Sequence, residues 1–163
     1  MNNSLAIEIN SLTKNYGPVQ ALKCVNLDVK SGEVLGFLGP NGAGKTTVIR
    51  CLLDLIRPQS GTMRVLGIDP RKDPVAIRSR VGYLPGELNL ESNLTVKSVL
   101  HYFNDLRDNK TDWSFVRQLA ERLELELDAA IKNLSKGNKQ KVGLVQAPLL
   151  LLHGLFFLNG ISV

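Results

Sequence analysis

Apolar and polar positions alternate along residues 5–9, Leu-Ala-Ile-Glu-Ile, and this period of two predicts an edge strand. Residues 11–18 are polar, carry Tyr16, and read as a loop. Alternation returns over residues 21–30 through Leu22, Val25, Leu27 and Val29, and Ser31-Gly32 marks a turn. Residues 33–38, Glu-Val-Leu-Gly-Phe-Leu, form a short apolar run of the kind that fills a buried strand. From Val48 to Ile56 the apolar spacing becomes helical, and the stretch from Arg57 to Gly61 ends that helix. Short strands are predicted at residues 62–66 and 81–85, with a helical turn at 75–80 between them. Thr95 caps a helix predicted to reach about Leu106. A polar linker, residues 107–111, leads to a second amphipathic helix over residues 112–125. There Trp113, Val116, Leu119, Ala120 and Leu123 share one face. A last helix follows residues 134–140 and runs through Ala147, where Pro148 ends the pattern.

Between the apolar run and the first helix lies Gly39-Pro40-Asn41-Gly42-Ala43-Gly44-Lys45-Thr46-Thr47. It fits G-x-x-x-x-G-K-[ST], and the order strand, glycine loop, helix is the context that this phosphate-binding pattern requires. Glycines at 39, 42 and 44 admit backbone conformations that a Cβ would penalise, so the loop can wrap an anion and aim N–H groups at it. The helix that starts near Gly44 adds its dipole and unpaired N–H groups. Lys45 supplies the mobile charge for β- and γ-phosphates, and the Thr46 hydroxyl is the expected Mg²⁺ ligand.

With 163 residues and 44% apolar composition, the chain has the size and make-up of one soluble domain. Cys24 and Cys51 have no metal or disulfide spacing, and both sit in apolar runs that predict burial. Residues 1–10 show no basic start followed by an apolar core, which points to a cytoplasmic protein. The net charge of +5 is concentrated at the end. No Asp or Glu follows Asp128, while Lys132, Lys136, Lys139 and Lys141 do. The first 128 residues then net +1, and this distribution argues against a nucleic-acid-binding face.

Taken with residues 134–140, Leu-Ser-Lys-Gly-Asn-Lys-Gln, the phosphate loop GPNGAGKTT resembles that of the ATP-binding cassette ATPases that power ABC transporters. LSKGNKQ is similar to the family's LSGGQ-type signature, with Lys136 and Asn138 as departures. Ser135 follows Lys45 by 90 residues, room for the family's helical lobe. The wording YLPGE with LSKGNKQ is most similar to multidrug or bacteriocin-exporter cassettes. The resemblance implies an α/β P-loop NTPase core with an N-terminal antiparallel β subdomain and an inserted helical lobe at about residues 87–134. It spans a partial nucleotide-binding domain, residues 1–147, and leaves a divergent apolar tail, residues 148–163. It also implies ATP and Mg²⁺ as ligands, a second cassette and a transmembrane permease as partners, and a peripheral place on the inner face of the membrane. Tyr16 falls where the family places an aromatic that stacks on adenine. Leu134, Ser135, Lys136, Gly137, Asn138, Lys139 and Gln140 would cap a partner's nucleotide in trans. The helical lobe and residues 86–90 would face the permease. Gly86 occupies the family's glutamine position, and Glu87 is a carboxylate beside it.

Past Ala147 the likeness weakens. The family continues into an apolar strand ending in Asp-Glu, which hold Mg²⁺ and polarise the attacking water, and then to a switch histidine. Residues 155–158, Leu-Phe-Phe-Leu, align with that strand, but Asn159 and Gly160 follow, and His153 precedes it. A truncated cassette with an altered tail is favoured over a degenerate one. Membrane insertion of residues 142–163 is disfavoured, since Gln146, Pro148, His153 and Asn159 interrupt a stretch barely one span long. The expected activity is ATP binding at best weak, with hydrolysis near zero. The rivals are a non-hydrolysing nucleotide-binding or dimerisation fragment and a soluble cassette of translation or DNA repair. The second of these usually carries two cassettes or a long coiled coil.

Overall fold

A computed structural model describes residues 4–86, 88–106, 112–149 and 155–158. The chain divides into two compact units, residues 1–79 and 80–163. In the first, β1 (Leu5–Tyr16) lies between β2 (Val19–Lys30) and β3 (Ser60–Val65) in an antiparallel sheet of order β2-β1-β3. The expected edge strand over residues 5–9 is therefore the central one, and it runs on through residues 11–16, which sequence pattern assigned to a loop. Polarity does not prevent this, because the β3 ladder and the β2 hairpin satisfy the backbone groups there.

The helix α1 (Lys45–Leu52) packs on this sheet through Val48, Ile49, Cys51 and Leu52, with Ile9, Leu12, Leu22 and Met63 completing the core. It starts at the phosphate loop and ends four residues before the expected Ile56. Asp54 takes φ 51° just past the C-terminus, and Leu55 N–H donates back to the Arg50 carbonyl at 2.9 Å. A left-handed residue at this place closes the helix, a role that glycine fills at less cost. The short helix α2 (Pro74–Arg78) is capped by the Asp73 side chain, which accepts from Ala76 N–H at 2.9 Å.

Two further expectations fail in this unit. Residues 33–38 form no strand, with Val34 98% and Leu38 91% exposed. An apolar run is a strand only where a ladder partner meets it, and none does among the described residues. Cys24 is exposed, at φ 48° where the β1–β2 register is irregular, and its N–H donates to Thr13 Oγ1. Cys51 is fully buried as expected, and burial pushes its thiol pKa up.

In the second unit β4 (Val81–Leu84) pairs in parallel with β5 (Leu155–Leu158) in the register Val81↔Leu155 to Leu84↔Leu158. The helix α3 (Val96–Asp105) is capped by Thr95, and α4 (Trp113–Arg122) by Asp112. Their apolar faces, with Ile131, Val142 and Val145, form one core that includes Val99, Leu100, Val116 and Ala120. Trp113, Leu119 and Leu123 pack at its margin, so the face read from the helical period is the one that is covered. His101 stacks on Trp113 with centroids 3.7 Å apart. The final helix α5 (Lys136–Leu149) starts within residues 134–140 rather than after them, and it runs two residues past the expected Ala147, with Pro148 in its last turn. Gly143 lets α5 approach β4, since a Cβ there would overlap Leu84 Cδ1 and touch Leu88.

Glu87, residues 107–111, His153, Asn159, Gly160 and most of the tail lie outside the described residues. No helix among the described residues is long and apolar enough to cross a membrane.

Two measurements check this packing. A thiol reagent should modify one cysteine per native chain, Cys24, and both after unfolding; fast native reaction of Cys51 would contradict its burial. Asp54→Gly should raise stability by about 1 kcal/mol in urea titration, since it relieves a left-handed non-glycine residue and removes the buried, unbonded Oδ1. A loss of stability would mean that the 3.5 Å contact with Arg57 outweighs both.

Candidate functional site

The phosphate loop lies in the first unit. Gly39, Pro40, Asn41, Gly42 and Ala43 are exposed, and Gly44, Lys45, Thr46 and Thr47 are half-buried at the start of α1. Gly42 and Gly44 both take φ 86°. Ala43 N–H donates to the Pro40 carbonyl at 3.2 Å, and Val48 N–H to the Gly44 carbonyl at 2.9 Å. Gly44 is the tightest point. A Cβ there would stand 2.6 Å from the Ala21 carbonyl oxygen and 2.8 Å from Leu22 Cδ2 of β2. The hairpin therefore lies directly against the loop, which only a residue without a side chain permits. Lys45 bends back over the loop and donates to the Gly39 carbonyl and, at 2.8 Å, to the Pro40 carbonyl. The ammonium is thus held on the same stretch of backbone that the glycines curve.

Tyr16 ends β1, opposite Val19, and is 46% exposed. Val19 precedes Ala21 by two residues, about 7 Å at ordinary strand rise. Tyr16 and the phosphate loop are thus linked through β2. The Lys14 ammonium stands 5.4 Å from the Tyr16 ring centroid and donates to the Arg57 carbonyl at 2.6 Å. Gln59 holds the neighbouring Asn15 by both backbone groups. Sequence reasoning passed over Lys14 and Gln59, because their partners lie 43 and 44 residues away.

The LSKGNKQ segment lies in the second unit. Ser135 Oγ accepts from Asn138 N–H at 3.1 Å, and the Ser135 carbonyl accepts from Lys139 N–H at 2.9 Å, so this serine caps α5. Leu134 packs against the unit's core. Lys136 and Gly137 are exposed, and Asn138, Lys139 and Gln140 are half-buried. Gln140 Nε2 donates to the Gly86 carbonyl at 3.3 Å and ties the start of α5 to the loop that leaves β4. Lys136, Lys139 and Gln140, with Gly86, Leu88 and Asn89, line a recess of about 290 Å³. Among the described residues no group of three His, Cys, Asp or Glu side chains gathers as a metal site.

A sequence profile described as ABC transporter matches residues 22–152. The Nod factor export ATP-binding protein I of Rhizobium meliloti is 34% identical over 148 residues, covering 88% of this chain and 44% of that protein. The ABC transporter ATP-binding protein NatA of Bacillus subtilis (strain 168) is 36% identical over 134 residues, 79% of this chain and 54% of that protein. The chain spans about half the length of these curated relatives. A solved structure described as an ATP binding subunit of an ABC transporter superposes with a TM-score of 0.74 at 30% identity, over 90% of this chain and 62% of that one. Loop, fold and profile agree, and the chain belongs to the ATP-binding proteins of the ABC transporter family.

Proposed function

We propose that the chain is the ATP-binding part of an ABC transporter and that its phosphate loop holds the nucleotide. The observation that carries this reading is the loop itself: curved backbone at Gly39–Gly44, a helix start behind it, and Lys45 poised over it. Lys45 exchanges its contacts with the Gly39 and Pro40 carbonyls for phosphate oxygens. The N–H groups at the start of α1 face the same anion. The Thr46 hydroxyl is the ligand that this chain offers to Mg²⁺, which neutralises phosphate charge when bound. Tyr16, linked to the loop through β2, offers a ring face for the adenine.

Within this proposal residues 1–147 act as the nucleotide-binding domain, with the helical lobe at about 87–134 and residues 148–163 as a divergent tail. Ser135 and Gly137 act in trans on the nucleotide of a second cassette. A transmembrane permease is the membrane partner, and the assembled protein sits on the cytoplasmic face. The names of the relatives, both ATP-binding proteins and one of them an export protein, support this placement.

Hydrolysis is the step that this chain's residues do not provide. β4 and β5 run in parallel, so their last residues, Leu84 and Leu158, pair at one end. Functional side chains of α/β proteins sit at that end. The sequence supplies Gly86 after β4 and Asn159-Gly160 after β5. None of the three carries a charge to hold a metal or a base to take a proton. This favours a second reading as well, a cassette that binds and dimerises without turnover.

Binding and turnover are tested separately. Lys45→Ala should weaken ATP binding about 10–100-fold by calorimetry, the worth of one charge-assisted contact, with the fold retained. Gly44→Ala should lose binding and native structure together, because its Cβ meets the Ala21 carbonyl. Equal ATP affinity in Lys45→Ala would place the nucleotide elsewhere. In phosphate-release assays the purified chain should turn over about 10²–10⁴-fold more slowly than a cassette with its general base. Ordinary turnover would refute the hydrolysis-deficient reading and leave the binding reading standing.

A further inference from the structure

Of the chain's links between distant segments, the one at the tip of the first hairpin serves the site most directly. Regular pairing of β1 with β3 ends at Thr13↔Ser60. One residue before Ser60, Gln59 N–H donates to the Thr13 carbonyl at 2.9 Å. The Gln59 side chain then reaches past the end of the ladder. Its Oε1 accepts from Asn15 N–H at 2.9 Å, and its Nε2 donates to the Asn15 carbonyl at 3.2 Å. A carboxamide offers one acceptor and one donor, as a peptide unit does, so Gln59 stands in for one more rung of β3. The residue it fixes is the immediate neighbour of Tyr16.

Lys14, on the other side of Asn15, is held as well, by the Arg57 carbonyl. Its ammonium stands over one face of the Tyr16 ring, 5.4 Å from the centroid. Both anchors come from the short segment between α1 and β3, and α1 begins at the phosphate loop. Three consecutive residues at the strand tip, Lys14, Asn15 and Tyr16, are thus set by the chain that leaves the phosphate-loop helix. Beyond Tyr16 stand Gly17 and Pro18, and the tip's other support is its pairing with β2.

We propose that Gln59 is a positioning residue for the nucleotide base: its amide locks Asn15 and thereby fixes the ring of Tyr16 against which the base stacks. Lys14 occupies one ring face and leaves the other to the base. The inference rests on the reading of Tyr16 as the base's partner. It predicts that Gln59 affects ligands that carry a base and is silent toward those that are phosphate alone.

The test uses the full chain with ATP and with inorganic triphosphate as probes, measured by calorimetry for wild type, Gln59→Met, Tyr16→Ala and the double variant. Gln59 is exposed, so methionine removes the two bonds without opening the core, and triphosphate binding reports that the phosphate loop is intact. Tyr16→Ala should weaken ATP about 5–100-fold, the worth of base stacking on an aromatic. Gln59→Met should weaken ATP about 3–10-fold, leave triphosphate within about twofold, and speed hydrogen exchange at the Asn15 amide. The double variant should bind ATP no more weakly than Tyr16→Ala alone. Wild-type ATP affinity in Gln59→Met, an equal loss of ATP and triphosphate, or a loss that adds in full to Tyr16→Ala would each overturn the role of Gln59. If Tyr16→Ala itself leaves ATP and triphosphate unchanged, the base does not stack there, and the reading of Tyr16 falls together with the inference.

Discussion

The β2 backbone approaches Gly44 so closely that the geometry around the phosphate loop depends on it. The Ala21 carbonyl and the Leu22 side chain occupy the space that a Cβ at position 44 would need. Because the two backbones touch, α1 starts under the hairpin rather than beside it. The curvature of the phosphate loop, the place of Lys45 and the distance from loop to hairpin tip are then parts of one arrangement. Leu22, buried at this contact, belongs to the same core as Val48 and Leu52 of α1. Burial of these side chains, each contributing about 1.5–3 kcal/mol, holds the loop's shape. The glycine supplies the room and the apolar core supplies the force.

How much of this was legible in the sequence depends on how local each feature is. The loop's glycines, the cap at Thr95 and the shared face of Trp113, Val116, Leu119, Ala120 and Leu123 all depend on neighbours within a few residues, and each stands where the pattern placed it. Strand identity is not local. Residues 33–38 look more like a strand than residues 11–16 do, yet the polar stretch is the strand. Its two sides meet β2 and β3, while the apolar run meets no ladder among the described residues. Cys24 was misread for the same reason. Its apolar neighbours alternate, but an irregular register turns the backbone at that residue and leaves the thiol exposed. Gln59 and Lys14 were invisible because nothing near them in sequence announces a partner some forty residues away.

Charge at the second unit's signature segment shows a different balance. α5 begins with Lys136 and reaches Lys139 within its first turn, and no acidic residue stands there. A helix start favours anions, so each cation costs about 0.3–1 kcal/mol at low salt. Two local features offset this. Ser135 satisfies the Asn138 N–H, worth about 1 kcal/mol as a cap, and Gln140 bonds the Gly86 carbonyl. Among the described residues the hydrogen bonds that hold this helix start use backbone groups and the Ser135 and Gln140 side chains, and no lysine side chain.

That separation bears on how the two functions of a cassette divide in this chain. The elements proposed to bind nucleotide, a curved loop, a helix start, a cation and a ring face, all lie within residues 1–79 around a core of their own. In the hydrolysis-deficient reading proposed above, turnover lacks its charged groups at the sequence positions Gly86, Asn159 and Gly160, with Glu87 the one carboxylate next to them. The binding elements are fixed by packing that does not draw on those positions. On that reading the missing carboxylates would remove the oriented nucleophile and part of the metal's charge balance, which phosphoryl transfer requires. Their loss would leave untouched the glycine backbone and the lysine proposed to recognise the phosphates. The proposed reading of binding without hydrolysis is therefore consistent with a binding region built apart from those positions.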